Sequence, residues 1–240
     1  MIDIKQMRAI VLAAGLGKRM RPLTDVLPKP LIMVGGKCLV DHALDFLGSA
    51  GITDAVVNTH YLAPLLEAHL QARTVPHIRI SYEETLLETG GGVLQALPML
   101  GEGAFFSINS DTICVNGARH ALLRLADMWD DASMDALLLL HPTEKAVGYA
   151  GAGDFALSEE GILTRRKPNE ASPYVFTGVQ ILHPRLFTNT PTGAFSLNII
   201  YDQLMQPVDG MKPRIRALVH DGKWLHVGDP QAIALAEAQL

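Results

Sequence analysis

Arg8-Ala9-Ile10-Val11-Leu12-Ala13-Ala14 runs directly into Gly15-Leu16-Gly17-Lys18-Arg19-Met20-Arg21-Pro22-Leu23-Thr24. The first stretch is apolar and of strand length, and the glycines after it mark a turn at the strand's carboxyl end. Outward from it, elements alternate. Leu39–Ala50 carries apolar residues at helical spacing and ends at Gly51, a natural C-cap. Ala55–Thr59 reads as a strand, Ala63–Ala72 as a helix and Ile78–Glu83 as a strand. Gly91–Leu97 reads as a short helix, Ala104–Asn109 as a strand, Ala118–Trp129 as a helix and Ala136–His141 as a strand buried on both faces. Strands alternating with helices need crossover connections, so the expected fold is α/β, Rossmann-like, with a central mostly parallel sheet flanked by helices.

After about residue 142 the rhythm changes. Gly148–Gly153 is glycine-rich, Pro173–Leu182 is a long strand, and Leu197–Met205 is a helix. Arg214–Val219 and Trp224–Val227 read as strands, and a closing helix starts at Pro230. No repeat or linker composition interrupts the 240 residues, so a single domain over 1–240 is expected.

Composition narrows the function. The net charge of −5 argues against a nucleic-acid binder, and no apolar run is long enough for a membrane span. Lys5 and Arg8 followed by Ala9–Leu16 imitate a secretory leader, but the apolar run is short and meets Lys18, Arg19 and Arg21 at once. Cys38 and Cys114 show no paired-motif spacing. A soluble, cytoplasmic, reduced chain is the expectation.

The turn after the first strand carries the chemistry. Ligands of alternating sheets bind at the strands' carboxyl ends, and Gly15 and Gly17 let backbone N–H groups approach a phosphate. A dinucleotide fingerprint needs glycine at position 20, which is Met20; a Walker loop needs Ser or Thr after Gly17-Lys18, where Arg19 stands. Lys18, Arg19, Arg21 and Lys29 gather positive charge in a net-acidic protein, which suits a polyphosphate. Pro28 and Pro30 hold Lys29 between them, with Pro30 expected to keep it out of helical geometry.

Gly15, Gly17, Arg19, Pro22-Leu23-Thr24 and Pro28-Lys29-Pro30 together resemble the signature of the sugar-1-phosphate nucleotidylyltransferases. Glu88-Thr89-Gly90-Gly91-Gly92, Gly153-Asp154-Phe155 and Phe176-Thr177-Gly178-Val179 are similar to a branch that uridylylates N-acetylmuramate 1-phosphate in peptidoglycan recycling. Mannose-1-phosphate guanylyltransferases share many of these features. The resemblance implies a nucleoside triphosphate and a sugar 1-phosphate as substrates, with Mg²⁺ as cofactor. It divides the chain into a nucleotide-binding half (1–141) and a sugar-binding half (142–240).

The resemblance also implies residue roles. Arg19 would grip the triphosphate and Lys29 the α-phosphate, with Leu12, Ala13, Ala14, Gly15 and Gly17 along the nucleotide. Asn109-Ser110-Asp111 looks like the family's Asn-Gly-Asp, with Asn109 beside the nucleotide and Asp111 on the metal, its carboxylate a suitable hard donor. Base recognition falls to Glu83 and to Gly90, whose glycine run is expected to allow close backbone approach rather than to begin a helix. Glu83 could accept from uracil or from guanine, so UTP and GTP both stay open. Asp154 would hydrogen-bond sugar hydroxyls, Thr177 and Gly178 would form the sugar site and Lys167 would reach the sugar phosphate, although Arg166 replaces a glutamate common in relatives. Near the C-terminus the family's metal-binding aspartate is replaced by His226, in Trp224-Leu225-His226-Val227-Gly228. Histidine is also a ligand, so His226 is a candidate for the metal or for a phosphate. It is the one feature favouring a non-catalytic nucleotide-sugar sensor, whereas Arg19, Lys29 and Asp111 favour an enzyme.

Overall fold

The computed structural model describes residues 2–206 and 213–240. In chain order its strands are β1 (Ala9–Leu12), β2 (Met33–Val34), β3 (Lys37–Cys38), β4 (Asp54–Thr59), β5 (His77–Tyr82), β6 (Phe105–Asn109), β7 (Thr112–Val115), β8 (Ala136–Pro142), β9 (Phe155–Leu157), β10 (Leu163–Arg165), β11 (Tyr174–Leu182), β12 (Ile215–Val219) and β13 (Lys223–His226). The α-helices are α1 (Leu39–Ser49), α2 (Ala63–Leu70), α3 (Glu88–Leu100), α4 (Ala121–Met128), α5 (Asn198–Leu204) and α6 (Pro230–Glu237).

Strands β5, β4, β1 and β6 lie side by side and parallel. Strand β11 then pairs antiparallel with both β6 and β8, and β12 continues parallel to β8. The mostly parallel sheet expected from the alternation is therefore present, with β11 reversed in its middle. Alternation along each strand feeds two cores. Ala9 and Val11 of β1 face the layer holding Leu44, Leu47 and Leu125 of α1 and α4. Ile10, between them, faces Val93 and Ala96 of α3 with Ile200 of α5. Leu137 and Leu139 of β8 join the first core, Leu138 and Leu140 the second, which is why this run is apolar on both faces. Among the described residues, no helix is long and apolar enough to cross a membrane.

Chain order places the site. From β1 the chain passes through α1 to β4 on one side, while β6 lies on the other. The strand order reverses between β1 and β6, leaving a crevice at their carboxyl ends where open α/β sheets bind ligands. A small ladder, β7 against β13, closes one side of that crevice by setting His226 opposite Thr112.

Candidate active site

The loop after β1 is built by Gly17 and Thr24. Gly17 has φ 62°, and a Cβ there would lie 2.9 Å from Thr24 Cγ2 and 3.0 Å from Lys29 Cβ. Thr24 Oγ1 donates to the Gly17 carbonyl at 2.8 Å, and Tyr61 Oη donates to the Thr24 carbonyl at 2.7 Å. Gly17 thus serves the turn and brings Lys29 close. Gly15 is different: nothing lies within 4 Å of where its Cβ would be, so its backbone is open to the cleft. The amides of Gly15, Leu16 and Gly17 find no acceptor among the described residues, an arrangement suited to anion oxygens.

The cleft, about 520 Å³, is lined by Leu12, Ala13, Ala14, Gly15, Gly17, Arg19, Lys29, Asn109 and Asp111, as the sequence had suggested, and by residues it had not. Lys29 Nζ donates to Asp111 Oδ2 at 2.7 Å. Lys29 opens a single 3₁₀ turn (Lys29–Leu31) with Pro30 as its second residue. The expectation that Pro30 would exclude helical geometry there is corrected, because a missing N–H costs nothing in a first turn.

Charge concentrates at this point. Burial pushes the Asp111 carboxyl up, but Lys29, His226 and Arg19 together outweigh it and hold it below the ordinary carboxylate range. Burial pushes the His226 imidazole down, opposed by Asp111, so it is held below the usual histidine value. Its ring stacks on Trp224 at 5.5 Å and meets the Tyr149 ring edge-on at 6.0 Å. Its Nδ1 is buried without a partner. Gly228 follows in the cleft wall, where a Cβ would lie 2.5 Å from His226 Nε2 and 3.5 Å from Arg19 Nη1.

Two expectations at the base side need correction. Glu83 is fully buried and does not line the cleft. Its Oε1 accepts from Asn58 Nδ2 at 2.7 Å and its Oε2 from the Leu87 amide at 2.9 Å. Asn58 in turn accepts from the Ala13 amide at 2.6 Å and does line the cleft, so Glu83 is a support behind the wall. The second correction concerns Gly90-Gly91-Gly92, which lies inside α3 and is buried there. Cβ atoms at Gly90 and Gly91 would come within 2.3 Å of Phe195 Cε2 and 2.2 Å of the Gly193 carbonyl, and one at Gly92 within 2.7 Å of Glu83 Oε1. The glycines admit the protein's own segments, and the Phe195 carbonyl accepts from the amides of Gly90 and Gly91. The cleft wall on this side is made by Leu86, Glu88, Thr89 and Ser196, with Glu88 exposed at φ 58°.

A family model described as Nucleotidyl transferase matches residues 8–240. The chain belongs to that family. It is 45% identical to the N-acetylmuramate alpha-1-phosphate uridylyltransferase of Caulobacter vibrioides, over 97% of this chain and 96% of that protein. It is 32% identical to the enzyme of the same name from Neisseria meningitidis, over 97% of each. The structure of HddC from Yersinia pseudotuberculosis complexed with GMP-PN superposes with a TM-score of 0.76, covering 98% of this chain and 99% of that one at 18% identity. The resemblance carried by Gly15–Thr24 and Pro28–Pro30 thus extends along the whole nucleotidyltransferase chain, and the protein is an enzyme of that family.

The residues expected on the sugar side of this nucleotidyltransferase fall outside the cleft lining. Thr177 is buried; its Oγ1 donates to the Leu139 carbonyl at 2.8 Å and accepts from the Val179 amide at 3.2 Å. Its hydroxyl is committed to the irregularity where β11 changes register against β8, which corrects the expectation of a sugar contact. Gly178, at φ 81°, lies where a Cβ would meet Asn109 Nδ2 at 2.7 Å, so it makes room for Asn109 rather than for sugar. Asp154 is half-buried and accepts from the Phe176 amide at 2.9 Å, and Lys167 is exposed on its loop.

Proposed function

We propose that this enzyme transfers the uridylyl group of UTP to N-acetylmuramate 1-phosphate, releasing pyrophosphate. The observation that carries the substrate choice is the 45% identity, over nearly the whole of both chains, to a protein of that name. The reading extends to Mg²⁺ as the metal and to a cytoplasmic role in peptidoglycan recycling. It keeps residues 1–141 as the nucleotide half and 142–240 as the sugar half.

A phosphate monoester has its second pKa about 6, so the sugar phosphate is mostly dianionic at pH 7 and needs no general base. One of its oxygens attacks the α-phosphorus; the bond from that phosphorus to the oxygen bridging to the β-phosphate breaks, and pyrophosphate leaves with the electron pair. The barrier is the approach of two polyanions, so catalysis is positioning and charge neutralisation. The open amides from Gly15 to Gly17 face phosphate oxygens, Arg19 holds the triphosphate, and Lys29 places its ammonium beside the α-phosphate. With Glu83 behind the wall, the acceptor for the base N3–H falls to the exposed carboxylate of Glu88.

The donors present fit a divalent cation. Lys29 occupies Asp111 Oδ2, and the second carboxylate oxygen has no protein donor among the described residues. His226 adds an imidazole with an unpartnered buried nitrogen, kept neutral at pH 7 by burial. Asp111 and His226 would hold Mg²⁺, which neutralises charge on the reacting phosphates when bound.

Imidazole suits softer ions than Mg²⁺, so His226→Asp is expected to lower the Mg²⁺ concentration needed for half-maximal rate. Only neutral imidazole ligates, and burial lowers its pKa. Wild-type metal activation should therefore fall away at a pH below the ordinary histidine value of about 6.5, and the aspartate variant should show a flatter acid limb. Superimposable Mg²⁺ titrations of the two proteins at about pH 6 and about pH 8 would make His226 a positioning residue only.

Pyrophosphate release with UTP, GTP, CTP and dTTP crossed against several sugar 1-phosphates tests the substrates. The highest kcat/KM is expected for UTP with N-acetylmuramate 1-phosphate. A maximum for GTP with mannose 1-phosphate would replace this reading by a guanylyltransferase, and no release with any pair would leave a nucleotide-sugar sensor.

A further inference from the structure

A second set of metal-binding side chains lies outside the cleft, where the β2–β3 hairpin hands over to α1. Cys38 is the residue before α1, Asp41 lies in its first turn, and His69 lies in the last turn of α2. Cys38 Sγ, an Asp41 carboxylate oxygen and a His69 ring nitrogen all lie within 4.8 Å of one another. Met33 Sδ, on the other strand of the hairpin, is 3.4 Å from Cys38 Sγ. A surface cavity of about 320 Å³ opens against Asp41 and His69.

We propose that Cys38, Asp41 and His69 form a binding site for a thiophilic divalent cation of the zinc class, with Met33 as a weak further donor. A thiolate, an imidazole and a carboxylate are the three side-chain donors zinc takes, at about 2.3 Å for sulfur and about 2.0–2.2 Å for nitrogen and oxygen. Such bonds set neighbouring ligand atoms about 3.5 Å apart in a tetrahedron, so the present spacing closes with small side-chain rotations. Sulfur donors disfavour Mg²⁺, which separates this site from the one at Asp111.

In the metal-free protein Arg73 Nη1 donates to Asp41 Oδ1 at 3.1 Å and His69 Nε2 is hydrogen-bonded to Asp41 Oδ2 at 2.8 Å, so the ion would take the place of the proton between His69 and Asp41. Asp45 is paired with Lys37 and Arg73, so those cations are partly neutralised. Burial, and next the Asp41 charge, push the Cys38 thiol up; it is therefore protonated in the metal-free protein and is no activated nucleophile. Binding would displace the thiol proton to solvent and leave the thiolate on the metal. The ion would staple α2 to α1 and to the hairpin that follows Lys29-Pro30-Leu31.

Co²⁺ added to the full-length chain is the probe, because a thiolate ligand gives a sulfur-to-cobalt charge-transfer band and a tetrahedral site gives intense visible bands. One equivalent is expected to produce both, and Zn²⁺ to bleach them. Cobalt at Asp111 and His226 would give no sulfur band, and burial pushes the other thiol, Cys114, up to about 12. Removing a group that only hydrogen-bonds a metal ligand weakens affinity about 10–100-fold, so Cys38→Ser and His69→Gln should each weaken zinc binding at least about 100-fold. Both variants should also lose the rise in Tm that zinc gives the wild type. A missing sulfur band at one equivalent, or a band and Tm rise that survive in Cys38→Ser, would overturn the site. His69→Gln, read the same way, decides the matter if the serine variant folds poorly.

Discussion

Lys29→Ala is expected to lower kcat about 10²–10³-fold, the usual consequence of losing one preorganised charge contact to a transition state. The structure adds a second effect. Lys29 Nζ sits 2.7 Å from Asp111 Oδ2, and it is the largest of the charges holding that carboxyl below its ordinary range. Without it, burial acts with less opposition and the Asp111 pKa rises. An ionised Asp111 is needed at the metal, so the acid limb of the rate profile should move to higher pH in the variant. Tm should change little, because Lys29 is only partly buried, lines the cleft and belongs to none of the hydrophobic cores. A kcat within a few-fold of wild type, with an unshifted acid limb, would leave Lys29 as loop architecture.

Glu83→Ala should act on stability rather than on base choice. The carboxylate is fully buried and serves two donors, Asn58 Nδ2 and the Leu87 amide. A buried donor left without its acceptor costs about 1–3 kcal/mol, and alanine leaves two. Glu83→Gln gives a sharper comparison. Its amide oxygen can still accept from Asn58, but its NH₂ then faces the Leu87 N–H, donor against donor. The glutamine variant should therefore lose about half as much unfolding free energy as alanine in urea titrations. Asn58 also receives the Ala13 amide, so a weakened Glu83 should raise KM for the nucleotide without changing the ranking of the four bases. Unchanged stability together with altered ranking would return Glu83 to the base site.

These two residues show where sequence reasoning reaches. Lys29, Arg19, Asp111 and the Gly15 turn follow from a strand, a glycine loop and clustered charge, all local in sequence, and the structure gathers them in one cleft. The parallel core was legible for the same reason, since β1, β4 and β6 each carry an apolar run and β5 an alternating one. Glu83 and Thr177 were misplaced because an acidic or hydroxyl group beside a motif looks accessible until tertiary partners are known. Asn58, at the end of β4, links Ala13 to Glu83 across 45 and 25 positions, a relation no periodicity reveals. The Gly90–Gly92 run signals close approach, as read, but what approaches is Phe195 and Gly193, more than 100 residues away. Strands β7 and β13 are short and form a two-stranded ladder apart from the main sheet, so β7 left little signal, yet they set His226 opposite Thr112, the residue after Asp111.

Isotope tracing tests the central claim most directly, that this cleft joins a sugar phosphate oxygen to the α-phosphorus of UTP. N-acetylmuramate 1-phosphate labelled with oxygen-18 in its phosphate is incubated with UTP, Mg²⁺ and the enzyme, and the products are read by mass spectrometry. The account predicts that every labelled oxygen appears in the nucleotide sugar, that pyrophosphate carries none, and that no pyrophosphate forms without the sugar phosphate. Label in pyrophosphate, or pyrophosphate released without the sugar phosphate, would contradict it.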